Sequence, residues 1–111
     1  PDQVPGLGEG EWVDFFGRPA YTMTLVGRLQ QASDAALVFC YAERLPGGEG
    51  FRLHLAALEE ALPADRRDAA RVVNERVERL VRECPTQYLW GYNRYKRPAG
   101  APPAPTNPGA A

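Results

Sequence analysis

The 111-residue chain has one histidine, one methionine and two cysteines, and its charges nearly cancel at 13 basic against 14 acidic side chains. Each scarcity closes off a class of function. One histidine and two separated cysteines, Cys40 and Cys84, supply no zinc-ligand pair at usable spacing, so the expectation is no metal and small buried thiols in a reducing compartment. The near-neutral balance gives no global field toward polyanions, and no nucleic-acid partner is expected. There is no G-x-S-x-G, no phosphate-binding glycine loop and no C-x-x-C. The longest apolar run, Ala35 to Ala42, falls far short of the ~20 residues that span a bilayer. Pro1-Asp2-Gln3 carries neither a charged n-region nor an apolar h-region, so no leader is expected. A strand-like segment follows almost at once, as in the back part of something longer.

What is present is an alternation of strand and helix signals within at most one small domain. Pro5, Gly6, Gly8 and Gly10 make residues 1–11 a loop. Trp12 to Phe16 reads as a short strand ended by Gly17 and Pro19. From Ala20 to Gln31, Thr22, Leu25, Val26 and Leu29 fall at helical spacing, weakened by Gly27 and broken by Ser33-Asp34. Ala35 to Ala42 reads as a strand buried on both faces, so strand, helix, strand predicts a βαβ unit in a parallel sheet. Leu45-Pro-Gly-Gly48 is a hairpin turn. Phe51, Leu53 and Leu55 then alternate with Arg52 and His54, as in an edge strand with one wet face.

The long helix has the clearest signals. Asp65 caps it, with Asp68 near the positive dipole end; such a cap contributes ~1 kcal/mol. Val73, Val77, Leu80, Val81 and Cys84 form one stripe, and Arg71–Glu75, Glu75–Arg79 and Glu78–Arg82 are i,i+4 pairs. Pro85 ends the helix and opens the next segment. From Pro85 to Pro98 the chain carries Trp90, Tyr88, Tyr92, Tyr95, Arg94, Lys96 and Arg97. Read as a helix, its tyrosines fall at i, i+4 and i+7, with Gln87, Trp90, Arg94 and Arg97 on a second stripe. Such a helix either docks by its tyrosines with its cations in solvent, or meets a membrane boundary or phosphate-bearing ligand. A small non-enzymatic α/β module, binding a membrane surface or single-stranded nucleic acid through this helix, is the alternative to an enzyme. After Pro98, Pro, Ala and Gly fill twelve of the last fourteen residues, a disordered tail over 98–111.

Pro85-x-Gln87-Tyr88-Leu89-Trp90-x-Tyr92-x-Arg94-x-Lys96-x-Pro98 resembles the C-terminal signature of the lauroyl/myristoyl acyltransferases of lipid A (lipopolysaccharide) biosynthesis. Pro1-Asp2-Gln3-Val4-Pro5 and Phe15-Phe16-Gly17-Arg18-Pro19-Ala20-Tyr21-Thr22 resemble the same family independently, in the expected order. The resemblance implies an α/β fold with a partial glycerolipid-acyltransferase-like sheet over residues 1–97. It also implies an O-acyltransferase of lipid metabolism at the cytoplasmic face of the bacterial inner membrane. The donor would be acyl carrier protein, the acceptor a lipid A precursor, with no cofactor.

That family uses a histidine followed by an acid, H-x4-D/E, as general base and orienting group. His54 and Glu59 match the spacing formally. They lie after the Asp-Gln and Phe-Phe-Gly segments, whereas the family's pair lies before them, and i,i+5 residues fall on opposite faces of a strand. The catalytic pair is therefore expected upstream, and the fragment alone is expected to be inactive. Asp2 and Gln3 are either a turn pair or the groups that hold sugar hydroxyls. Arg44, just past the buried strand, is either solvated or a phosphate contact. Trp90, Arg94, Lys96 and Arg97 are the candidates for head-group or membrane contact.

Overall fold

A computed structural model describes residues 2–6 and 8–106; the end of the expected tail, 107–111, lies outside them. The elements are β1 (Gly10–Phe15), β2 (Arg18–Met23), α1 (Leu25–Ser33), β3 (Leu37–Arg44), β4 (Phe51–Leu58) and α2 (Arg66–Glu83). The fold is mixed α/β, with four strands in two antiparallel hairpins, β1–β2 and β3–β4. Among the described residues the expected parallel βαβ unit is not formed. Gly17 does not end a strand before a helix; with Phe16 it turns the chain back on itself, and Pro19 lies within β2 opposite Asp14.

The reason lies at Phe16-Gly17. Both residues have positive φ, 50° and 73°, which is the two-residue turn whose twist matches a hairpin. Glycine adopts that geometry freely and phenylalanine does not, so Phe16 must be held. Its N–H donates to Glu78 Oε1 at 2.7 Å, and its ring packs 4.7 Å from that of Phe15 and beneath Arg82 at 4.9 Å. The β-branched and aromatic run Tyr21-Thr22 then continues as strand, and the helix starts only at Leu25. Gly27 lets α1 approach α2: a Cβ there would sit 3.2 Å from that of Ala69.

The long helix α2 forms as expected, with the Asp65 side chain accepting from Asp68 N–H at 3.0 Å. Of the expected ion pairs, Arg82–Glu78 forms, while Arg71 turns to Asp68. The side of α2 that is fully buried carries Ala69, Ala70, Asn74 and Val81. Val73, Val77 and Leu80 are only half-buried and line an open groove beside β3.

β3 is not buried on both faces. Leu37, Phe39, Tyr41 and Glu43 are half-covered, while Val38, Cys40, Ala42 and Arg44 are exposed, so Cys40 is not the buried thiol expected. In β4 the expected dry face is open, Phe51, Leu53 and Leu55 being 69%, 62% and 65% exposed; on the expected wet face Arg52 is exposed and His54 half-covered.

The aromatic segment is not a helix. Pro85–Gln87 form one 3-10 turn, and turns and bends follow. Part of the span read as a tail packs against the fold. Ala101 is buried with Trp12 and Tyr21, and Trp12 Nε1 donates to Pro102 O at 2.9 Å. Among the described residues no helix is long and apolar enough to cross a membrane.

Candidate functional site

Arg94 is the hub of the C-terminal segment. Turns carry it back over β2, where it is 4% exposed and its Nε donates to Asp2 Oδ1 at 2.8 Å. Nη1 donates to Tyr21 O at 3.0 Å; Nη2 donates to Thr22 Oγ1 at 2.9 Å and to Asn74 Oδ1 at 3.3 Å. Asn74 is itself satisfied, its Nδ2 donating to Thr22 Oγ1 and Asp14 O. A buried guanidinium with all three nitrogens bonded meets the requirement that buried charge be paired and fully hydrogen-bonded. The head-group contact expected of Arg94 is therefore not available: the side chain is inside the protein.

The second oxygen of Asp2 is also taken. Tyr88 OH donates to Oδ2 at 2.6 Å, so Arg94 and Tyr88 together occupy both carboxylate oxygens. Asp2 thus anchors the Asp-Gln segment, and exposed Gln3 is the residue of the pair turned to solvent. Tyr92 and Tyr95 secure the same turns: Tyr92 OH accepts from Val4 N–H at 2.8 Å, and Tyr95 OH donates to Phe15 O at 2.7 Å.

Burial, then the bond to Asp2, pushes the Tyr88 hydroxyl far above the usual tyrosine range, and burial raises Tyr95 in the same direction. A tyrosine that keeps its proton in the fold but loses it unfolded stabilises the protein below the ordinary value of 10.0, and the contribution fades as pH rises further. Urea midpoints should fall as pH rises above about 10, and Tyr88→Phe should make that fall shallower. An unchanged slope in the variant would remove Tyr88 from the account.

The other expected residues bond elsewhere, although the Trp90 ring packs edge-on to that of Tyr88 at 4.8 Å. The backbone of Arg44 is clamped by Gln87, Arg44 N–H donating to Oε1 at 2.7 Å and Nε2 donating to Arg44 O at 3.0 Å. The Arg44 residue is exposed. Trp90 is 60% exposed and Leu89 73%; the indole N–H is already bonded to Pro85 O at 2.7 Å. Lys96 stands 5.5 Å from the Tyr92 ring, and Arg97 Nε donates to Ala101 O at 3.0 Å. His54 Nε2 lies 2.9 Å from Glu43 Oε1, and its ring stacks on Tyr41 at 4.5 Å. Glu43, not Glu59, is its acid partner. Thr22 and Asn74 were missed as site residues. The signal for Asn74 was a polar residue on the stripe of Ala70 and Val81, where burial demands partners.

The family model for bacterial lipid A biosynthesis acyltransferases matches residues 1–97. The chain belongs to that family. It is 31% identical over 102 residues to the lipid A biosynthesis palmitoleoyltransferase of Escherichia coli (strain K12), covering 90% of this chain and 33% of that protein. Against the lauroyltransferase of the same strain it is 33% identical over 105 residues, 92% of this chain and 34% of the other. Against the myristoyltransferase the figures are 34% over 93 residues, 81% and 28%. The chain thus spans about a third of the length of the curated acyltransferases it matches.

Proposed function

We propose that these residues are the C-terminal, substrate-facing scaffold of an enzyme that moves a fatty acyl chain from acyl carrier protein to a lipid A precursor. The general base belongs to a part of the acyltransferase outside this chain. The observation that carries this reading is the placement of the one histidine. His54 is tied to Glu43 and Tyr41 on the β3–β4 hairpin, while the family motifs converge elsewhere, on Arg94, Asp2 and Tyr88.

In this reading Asp2 holds the loop through its two occupied oxygens and Gln3 meets the acceptor's polar groups. Arg44 offers a guanidinium for phosphate. Trp90 and Leu89, with Lys96 and Arg97 nearby in the chain, face the membrane at its cytoplasmic side. The exposed row Phe51, Leu53 and Leu55 is an apolar surface of the kind that seats against further protein.

His54→Gln in the full-length acyltransferase tests the assignment. Transfer of a lauroyl group from acyl carrier protein to a lipid A precursor should stay within about twofold of the unsubstituted enzyme. A loss beyond about tenfold, with an unchanged unfolding curve, would make His54 the base and overturn the reading.

A further inference from the structure

Residues 15–22 and 85–98 supply the two walls of one open cleft of about 360 Å³, a volume in the range of small-molecule sites. Phe16 and Arg18 come from the β1–β2 turn, and Tyr88, Trp90, Asn93 and Tyr95 from the C-terminal segment. The tyrosines offer the cleft their rings rather than their hydroxyls, which are spent on Asp2 and on Phe15 O. Trp90 is 60% exposed, and its ring stands 6.2 Å from that of Phe16.

Charge singles out one position. Three guanidiniums lie over rings of this cleft: Arg94 over Phe15 at 5.4 Å, Arg82 over Phe16 at 4.9 Å and Arg18 over Tyr95 at 4.1 Å. Arg94 is matched by Asp2 at 2.8 Å and Arg82 by Glu78 at 3.3 Å. Arg18 is exposed, and among the described residues no carboxylate comes within ion-pair distance of it. The Tyr95 face steadies this guanidinium while its N–H fork stays open to an anion. Asn93 is exposed beside it; its Oδ1 accepts from Tyr95 N–H at 3.2 Å, which leaves the amide N–H groups to a ligand.

Aromatic faces, an amide donor and one unmatched guanidinium specify a ligand that is apolar on its flat side, hydroxylated at its rim and anionic at one substituent. A phosphorylated pyranose has that form: its C–H groups meet the rings, its hydroxyls the amide and its phosphate the fork of Arg18. A hydrocarbon chain would take Arg18 and Asn93 out of water with nothing to offer them. A single-stranded nucleic acid brings one phosphate per nucleotide, and the cleft has one unmatched cation to meet them.

We propose that this cleft seats a phosphorylated sugar ring of the lipid acceptor, with Trp90 and Phe16 as its apolar wall and Arg18 on its phosphate. The inference rests on the reading above, which makes a lipid A precursor the acceptor and sets Trp90 at the membrane boundary. A sugar head held beside Trp90 leaves the acyl chains of its lipid in the bilayer.

Kinetics of the full-length acyltransferase test it, with acyl carrier protein and the lipid A precursor varied in turn. Arg18→Gln should raise KM for the precursor about tenfold, and leave kcat and the KM for the acyl carrier protein donor within about twofold. Against a precursor with its phosphates removed, the same variant should change KM by less than about twofold. Phe16→Gly removes part of the wall and eases the positive φ of 50°, so the turn is kept; an unchanged unfolding curve checks this. It should raise KM for the precursor about fivefold. Equilibrium binding of glucosamine 1-phosphate to the enzyme should weaken about tenfold in Arg18→Gln.

KM values for the precursor within about twofold in both variants overturn the sugar site. So does a rise in KM for the donor instead, which gives the cleft to acyl carrier protein, or a loss confined to kcat, which makes Arg18 and Phe16 positioning residues. The two proposals fail separately. Normal acyl transfer with KM unchanged in both variants sinks the sugar site alone. Glucosamine 1-phosphate that binds through Arg18 to an enzyme unable to transfer an acyl group sinks the functional reading alone.

Discussion

Arg94→Met is expected to destabilise the chain by about 3 kcal/mol, the lower end of what removing one partner of a buried ion pair costs. The reason is what methionine leaves behind. Asp2 loses the guanidinium at 2.8 Å, while Tyr21 O, Thr22 Oγ1 and Asn74 Oδ1 lose donors inside the protein. Asp2 keeps 22% of its side chain in water, and that partial hydration places the cost at the low end of the range. Arg94→Lys keeps the charge, but one ammonium cannot reach acceptors arranged for three guanidinium nitrogens, and should recover about half of the loss. Urea midpoints at constant slope measure both. A loss below about 1 kcal/mol for the methionine variant would show the network to be incidental to stability.

The contrast between Arg94 and α2 shows what the sequence could reveal. In α2 every signal is local: the Asp65 cap, the apolar stripe and the Pro85 stop lie within one helix, and the helix forms where they say. The β3–β4 hairpin was legible for the same reason, its turn being written in Pro46-Gly47-Gly48. The β1–β2 hairpin was hidden because Thr22 falls in phase with Leu25, Val26 and Leu29, so a strand end merged with a true helix into one apparent period. The tyrosines of the C-terminal segment do dock onto the rest of the fold, though not as one face of a helix. Each reaches its own distant partner, Asp2, Val4 or Phe15, through turns that a helix of that length would not allow. Arg94 reads as a surface cation because the carboxylate that neutralises it is 92 positions away. Family resemblance drew attention to both ends of that pair, although no local pattern joins them.

Phe15→Ala should cost about 3–5 kcal/mol, the range for truncating a buried aromatic ring. Phe15 is 1% exposed, and its ring meets Phe16 at 4.7 Å, Tyr95 at 6.2 Å and Tyr88 at 6.4 Å. Phe15→Leu keeps most of the volume and should cost less than about 1.5 kcal/mol. The alanine variant does more than open a cavity, because the Arg94 guanidinium lies 5.4 Å from the same ring. A cation held against an aromatic face loses its attraction to the quadrupole when the ring is removed. Phe15→Ala and Arg94→Met should therefore combine to less than their sum, with a coupling of about 0.5–1 kcal/mol. An osmolyte such as trimethylamine oxide keeps the double variant folded for the measurement. Strict additivity would mean that the ring only fills space and that the polar hub stands without it. Coupling would mean that the Phe-Phe-Gly hairpin and the Arg94 segment, which lie at opposite ends of the chain, are one cooperative unit built around Asp2.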